Sequence, residues 1–585
     1  MFKNIYYDTY KSVMHLWYTA NGVNRYRADN WTPYVYKKDP EGDIKTIDGL
    51  KVSKMYFNSY SSYKEYQQNN KDLYENNCKP EIQYLAEKYY DVIDEDIIPP
   101  ALKIYSIDIE VQPINNPGVF PSPLIAEEPI TMISIYDWLD NHVYSFGLHE
   151  YDNSVNDDKP FKVTYINCGD EKSLLRKFFS FTHKNAPDVY TGWNISLNKK
   201  MSVSGFDFPY IINRSKNLFE EDLYLLLSPI KKVRAWKSNE DTGVSISGVS
   251  IIDYQCIYKW FTRNNLEKYT LDYVCKFELN EVKLEYKGSL AELYNNDWQK
   301  YVDYNIRDVE LIKLLDDKLE YINLAQSLSL LTRAPMESYI AMTALLEGKL
   351  LTHFRREGLC APIFEGGTQH GFPAAYVKEP HVGLWDWISS IDIASSYPTA
   401  IITLNMSVET YLGRIQTLTE DHIILYTKRR EFPPFTLKKK IGSVDFKGDK
   451  LISFNKMLDK GLIAIAPCGS CFKTSKEGVI AYVEREMFIK RKQIKTVMKS
   501  LYDDDSKKDE VKRLFAFQWA LKILLNSMFG IMAVPYSRYF QINIAEAITA
   551  CGRHNVKQGE LFTNEILNDI MNKDLVKIIG EIKEK

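Results

Sequence analysis

The sequence predicts a multidomain chain of mixed class, α/β in its first half and α+β in its second. Three observations carry this. At 585 residues, with 45% apolar and 26% charged side chains, the chain is long enough for about three or four separate cores. From Leu102 to about Ile322, strand-like runs alternate with helix-period runs, the pattern of an α/β domain. From Gly366 a strand-rich stretch opens that contains Asp392, and two long helical patterns follow it.

In chain order, residues 1 to about 100 mix aromatic strands with polar loops, and a helix begins near Tyr60. Asp94-Glu95-Asp96 before Pro99-Pro100 reads as a solvated boundary. Gln112 opens a turn-rich loop that runs through Pro117 and Gly118. Lys232 to Gly248 reads as a hairpin with its turn near Asn239, and a mostly helical connector runs to about Glu365. A basic helix is expected from about Val479 to Leu501, a polar turn from Asp503 to Asp509, and an apolar helix from about Val511 to Phe529. The remainder to Lys585 reads as helical.

The bulk properties exclude some function classes. The first eight residues form no apolar signal core, and no run approaches about eighteen apolar residues, so no membrane span is expected. A net charge of −3 argues against a purely electrostatic DNA binder but leaves local basic clefts open. Eight scattered cysteines read as reduced thiols of a cytoplasmic protein. Cys468-Gly-Ser-Cys471, a lone pair, reads as a turn between two strands rather than a zinc site.

Two constellations carry chemistry. In Ile104-Tyr-Ser-Ile-Asp108-Ile-Glu110-Val111 side chains alternate, so Asp108 and Glu110 share one face and Ile107, Ile109 and Val111 the other. Two acids on an apolar strand are costly unless a cation or protons neutralise them; a polar strand edge is the plainer reading. Downstream come Phe206-Asp207-Phe208 and Tyr304-Asn-Ile-Arg-Asp308, whose tyrosine and aspartate are four apart on one helical face. The second constellation is Asp392-Ile-Ala-Ser-Ser-Tyr397-Pro398, after the strand signature Trp387 to Ile391. It continues with Arg491 and Lys495, four apart on the basic helix, and with Lys522-Ile-Leu-Leu-Asn526-Ser-Met-Phe529-Gly530. A basic solvated face is the plainer reading of Arg491 and Lys495 alone.

In this order these motifs resemble family B DNA polymerases, most of all their T-even phage replicative branch. The resemblance covers nearly the whole chain. It implies a ribonuclease H-like 3′→5′ exonuclease domain, a partial polymerase palm and short helical fingers. The implied boundaries are an N-terminal domain over 1–100, the exonuclease over 101–322, a connector over 323–372, palm over 373–472, fingers over 473–534 and continuing palm over 535–585. It implies Mg²⁺ or Mn²⁺, two ions per active site. Asp108, Glu110, Asp207 and Asp308 would be the exonuclease ligands, with Tyr304 orienting the attacking water. Asp392 would be a polymerase metal ligand and Tyr397 the gate against a ribose 2′-hydroxyl. Arg491, Lys495, Lys522 and Asn526 would bind the triphosphate, and Gly530 would admit the nascent base pair.

Departures from the family pattern matter too. Residues 195–205 intervene between Asn194 and Phe206, where the family keeps only a few; a surface loop is expected, and Lys199 and Lys200 could touch single-stranded DNA. Ser396, Thr399 and Phe529 replace the family's Leu, Ser and Tyr. The 232–248 hairpin resembles the one that helps switch primer ends, with a plain structural hairpin as the alternative. Gly366 to His370 resembles a template-contacting loop, with an ordinary turn as the alternative. Most important, the family's Asp-Thr-Asp has no counterpart: after Gly530 come only Glu546, Glu560, Glu565, Asp569, Asp574 and an acidic–basic tail.

The expectation is therefore the N-terminal piece of a split or truncated polymerase, acting on primer–template DNA and dNTPs. It would need a C-terminal fragment supplying the palm hairpin and thumb, and a sliding clamp as a further partner. The rivals are a stand-alone 3′→5′ exonuclease with relic polymerase motifs and a non-catalytic DNA-binding scaffold.

Overall fold

The computed structural model describes all residues except 113–120, 239–240, 263–264, 369–370, 385–389, 417, 430–431, 441 and 573–585. The chain forms two compact units, one of residues 1–33, 57–64 and 79–341, the other of 34–56, 65–78 and 342–585. Residues 1–100 are thus divided between them.

The first unit is built on a six-stranded mixed sheet. Its order is Lys162–Asn167, His142–Gly147, Ile130–Asp137, Ile104–Val111, Val189–Gly192, Ser250–Asp253. The alternation read in Ile104–Val111 decides what each face meets. Tyr105, Ile107, Ile109 and Val111 pack with Leu174, Phe178, Phe208 and Ile211 from the helices Glu171–Lys184 and Asp207–Leu218. Ser106, on the other face, donates to the Val309 carbonyl of the helix Trp298–Leu319 at 2.9 Å. That helix packs through Tyr301, Val302, Ile306 and Val309 against Met132 and Tyr136. A central strand with one greasy face and one face turned to a helix holds Asp108 and Glu110 under that helix. Gly192 lets the strands close up, since a Cβ there would lie 2.5 Å from the Ile107 carbonyl oxygen.

The helix Trp298–Leu319 starts where Asp297 accepts the Lys300 N–H at 3.0 Å and stops at Glu320, in the left-handed conformation at φ 57°. Arg214 grips Glu171 through two bonds of 2.7 Å, locking the helix that begins at Asp207 to its neighbour. The predicted hairpin forms from Val233–Ser238 and Asp241–Ile246; its turn lies outside the described residues, as does most of the loop after Gln112.

The second unit holds a five-stranded antiparallel sheet, in the order Ser443–Phe446, Phe435–Lys438, Tyr411–Ile415, Ser470–Lys473, Ile463–Ile465. The Cys468–Cys471 turn joins its last two strands, with both thiols buried. A smaller sheet gathers Leu359–Cys360, Ile44–Thr46, Lys51–Met55 and Val35–Lys38. Buried Glu75 pairs with Arg355, whose guanidinium also donates to Tyr34 at 3.0 Å, tying residues 34–56 and 65–78 to the helix Met342–Arg356.

The expected helices form as Val479–Ser500 and Lys508–Ala533, and a further one spans Ile542–Asn572. The apolar helix starts earlier than its pattern suggested, because Asp509 and Glu510 suit a first turn. Among the described residues, the stretch Asp505–Ala533 is long and apolar enough to cross a membrane, but half of its apolar window is buried as core.

One expectation fails. Residues 371–384 and 390–393 form no strand, although the sequence around Asp392 reads as one; 385–389 lie outside the described residues. A strand persists only when its backbone groups are paired, and no described strand lies beside this stretch to pair with it.

Candidate active site

Four acids far apart in sequence come together in the first unit. Asp108, Glu110 and Asp308 each place a carboxylate oxygen within 4.8 Å of the others. Asp207, 4% exposed, opens the helix Asp207–Leu218 beside them, and its Oδ2 is buried without a hydrogen-bond partner. Asp308 Oδ1 is buried and unpartnered as well. Orphaned carboxylate oxygens converging in one buried place fit divalent cations, which take oxygen ligands.

The electrostatics agree. Burial, then the negative charge of Asp308, pushes the Asp108 carboxyl up to about 8. Burial, then the charges of Asp108 and Asp308, holds Glu110 well above the carboxylate range. Asp207 is raised by burial, then by Asp108, Asp253 and Glu110. Such a group of acids is stable only when protons or cations neutralise it.

Tyr304 and Asp308 lie one turn apart on the helix Trp298–Leu319, as the spacing predicts. Three neighbours escaped the sequence reading. Lys283 pairs with Asp308 and donates to the Tyr304 hydroxyl at 3.0 Å. Burial works to lower its ammonium, but Asp308 and its neighbours outweigh burial and keep it charged. Asn305 donates from Nδ2 to Asp108 Oδ2 at 2.6 Å. Tyr286 meets the Tyr304 ring edge-on, centroids 5.5 Å apart. Lys283 and Tyr286 sit in an irregular run with no periodicity to mark them. Asn305 carried a signal, since it lies three residues before Asp308 on the same helix.

Residues 195–205 form a compact lobe. Asn198 and Val203 bridge, Asn194 Oδ1 accepts from Gly205 N at 3.1 Å, and Asp253 accepts from Ser196 N at 3.2 Å. Lys200 donates to the Ile340 carbonyl at 2.7 Å and lies 4.0 Å from the Trp260 ring centroid, so of the two lysines it is committed to protein.

The second unit places Asp392, exposed, in a cavity of about 520 Å³ with Tyr397, Gly552, Arg553 and Glu560. The Tyr397 ring leans on Phe529, centroids 5.3 Å apart. A Cβ on Gly552 would stand 3.0 Å from it. Ser395, at φ 54°, turns the chain into the helix Ser396–Thr403. Arg491 and Lys495 lie on one helix, Lys522 and Asn526 on the next, and the two helices pack together; Arg491 Nε is buried without a partner. None of these four lines the cavity around Asp392 among the described residues. Glu560 pairs with Lys378, and Glu546 is gripped by Arg414.

Residues 42–274 match the model of the DNA polymerase family B exonuclease domain, and residues 339–580 that of DNA polymerase family B. The chain belongs to the family B DNA polymerases. It is 28% identical to the DNA-directed DNA polymerase of Escherichia phage RB69 over 83% of this chain, and 26% identical to that of Enterobacteria phage T4 over 96%. It is 24% identical to the DNA polymerase delta catalytic subunit of Caenorhabditis elegans over 79%. The chain spans 57% of the length of the RB69 relative and 66% of the T4 relative. The family assignment fits the fold: the mixed sheet with its buried acids falls largely in the exonuclease match, and the two packed helices fall in the polymerase match.

Proposed function

We propose that this family B chain is a 3′→5′ DNA exonuclease in its first unit and the nucleotide-binding part of a templated DNA polymerase in its second. The convergence of Asp108, Glu110 and Asp308 within 4.8 Å, with Asp207 beside them, carries the nuclease reading. Asp108, Glu110, Asp207 and Asp308 would hold two ions, Mg²⁺ or Mn²⁺, which would supply Lewis-acid stabilisation of the scissile phosphate and a more acidic water. Lys283 holds the Tyr304 hydroxyl, leaving its lone pair and proton to orient water at the phosphorus. Asp308 and Lys283 neutralise one another until the cation arrives. The test is a 5′-labelled single strand with Mn²⁺: a ladder shortening from the 3′ end is expected, and a 3′-terminal phosphorothioate should stall it. Release of label from the 5′ end instead would sink the reading.

A pH dependence follows. The folded Asp108 carboxyl lies at about 8, against about 4 in an unfolded chain. Between those values the folded, metal-free protein holds more protons than the unfolded one, so its stability falls as pH rises. That contribution is complete below about pH 4 and lost as pH climbs through about 8. Divalent cations bind the ionised site and counter the loss. Thermal unfolding should therefore show a larger Mn²⁺-induced rise in Tm at pH 8 than at pH 5.5. Equal rises at both would remove the cluster as the binding place.

In the second unit Asp392 supplies one metal carboxylate, Tyr397 closes the sugar pocket, and Arg491, Lys495, Lys522 and Asn526 grip the triphosphate on primer–template DNA. A polypeptide bearing a palm hairpin and thumb supplies the further palm carboxylates. Exposed Val382, Leu384 and Ile391, with Leu561 and Phe562 of the helix Ile542–Asn572, offer it an apolar surface. A sliding clamp is the remaining partner. In an enzyme completed this way, Tyr397→Ala should raise ribonucleotide incorporation relative to deoxyribonucleotide by about tenfold or more, the worth of one lost steric contact of about 1–3 kcal/mol. Unchanged discrimination in single-nucleotide primer extension would take the gate role away. The second reading, a nuclease with no polymerase activity of its own, is favoured by the unpaired stretch around Asp392.

A further inference from the structure

We propose that Asn305 is a positioning residue of the nuclease site, fixing the Asp108 carboxylate through its amide N–H and offering its carbonyl oxygen to water inside the cluster. The inference rests on the nuclease reading above. Asn305 is fully buried on the helix Trp298–Leu319, three residues before Asp308, so it shares a face with that ligand. Its Nδ2 donates to Asp108 Oδ2 at 2.6 Å, across 197 residues of sequence, joining the helix to the central strand. That is the side-chain hydrogen bond acting on the Asp108 carboxyl. This bond restrains Oδ2 and leaves Oδ1 free of it.

With a cation bound, the orientation of the amide is chemically determined. With Asp108 ionised, as a cation ligand must be, the opposite amide orientation would set carbonyl oxygen against carboxylate oxygen. The N–H therefore faces Asp108. The consequence is visible at the other end of the group, where Asn305 Oδ1 is buried with no partner. A buried acceptor without a donor is costly, and of the charged groups of this cluster, Asp108, Glu110, Asp207, Asp308 and Lys283, the lysine is the cation. Lys283 is committed to Asp308 and Tyr304. Water entering with the cations gives Oδ1 its missing donor. A residue that only packed the helix would need neither contact. Outer partners of this kind set ligand orientation and hence affinity.

The test uses the full chain with Asn305→Leu, which keeps the side-chain volume and removes both polar contacts, and Asn305→Ala as a second variant. Mn²⁺ binding is followed by titration calorimetry, single-strand degradation by kcat and KM, and folding by thermal unfolding in EDTA. Both variants should bind Mn²⁺ about 10–100-fold more weakly and lose a similar factor in kcat, with KM for DNA changed less than about twofold. Their Tm in EDTA should stay near that of the wild type, which a packing role would not allow. Wild-type Mn²⁺ affinity in a folded Asn305→Leu, while Asp108→Ala in the same assay is inactive, would overturn the inference and leave the nuclease reading standing. A wild-type chain that neither binds Mn²⁺ nor degrades DNA would take both away.

Discussion

Replacing Asp108 and Glu110 together by alanine should reduce 3′→5′ degradation of single-stranded DNA by about a thousandfold. The two acids stand on one face of the strand Ile104–Val111, and with Asp308 they place oxygens within 4.8 Å of one another. Removing two ligands leaves Asp207 and Asp308, too few to hold two cations in place. Loss of several kcal/mol of transition-state stabilisation is then expected, and about 4 kcal/mol corresponds to about 10³ in rate. The fold should survive. Burial and mutual repulsion push both carboxyls up, which means that the metal-free protein holds them at a cost. Alanine relieves that cost at the expense of a little packing, so Tm in EDTA should not fall by more than a few degrees. The measurement is a 5′-labelled ladder with saturating Mn²⁺, run beside thermal unfolding. Equal degradation by the wild type and the double variant would end the assignment of this cluster.

How much of this was legible in the sequence differs from residue to residue. The strand Ile104–Val111 was, because period-two alternation states which side chains share a face, and the face opposite Ile107, Ile109 and Val111 carries Asp108 and Glu110 beside Ser106. Tyr304 and Asp308 were, because four residues make about one helical turn. Asp207 opens a helix and was reached through its flanking phenylalanines. Lys283 was not legible. It comes from a segment between the helices Leu271–Leu279 and Leu290–Asn296 that has no repeating pattern, and its place beside Asp308 is set by tertiary packing alone. The lobe at 195–205 read as a surface loop, yet Ile195 and Val203 are buried, and the bridge from Asn198 to Val203 closes it. Local composition there is polar and gives no sign of a fold that depends on Asp253, more than fifty residues away in sequence. Asp392 shows the opposite failure. Strand propensity is a preference for a pleated, paired surface, and the described residues around it join none of the sheets.

That unpaired stretch leads to the prediction with the largest effect. The 585-residue chain, highly purified, should extend no primer. Nucleotidyl transfer needs carboxylates that bridge two cations, and Asp392 brings one. Of the acids after Gly530 whose side chains the structure describes, Glu546 is held by two nitrogens of the Arg414 fork, Glu560 pairs with Lys378, and Glu565 stands exposed on the helix Ile542–Asn572. Glu560 is the one carboxylate that lines the same cavity as Asp392 among the described residues. It stands on a helix, and its lysine partner would have to let go before it could take a cation. A polypeptide carrying an Asp-Thr-Asp hairpin should dock on the exposed apolar side chains near Ile391 and Phe562, burying roughly 2,000 Å² or more in total, and templated synthesis should then appear. In that complex Asp392→Ala should abolish extension by several orders of magnitude while leaving 3′→5′ degradation unchanged, since the nuclease acids lie in the other unit. Glu560→Gln should leave extension intact. The decisive arm is the chain alone: a templated ladder that persists through purification and disappears in Glu560→Gln would mean that this helix, and not a hairpin supplied from elsewhere, completes the polymerase metal site.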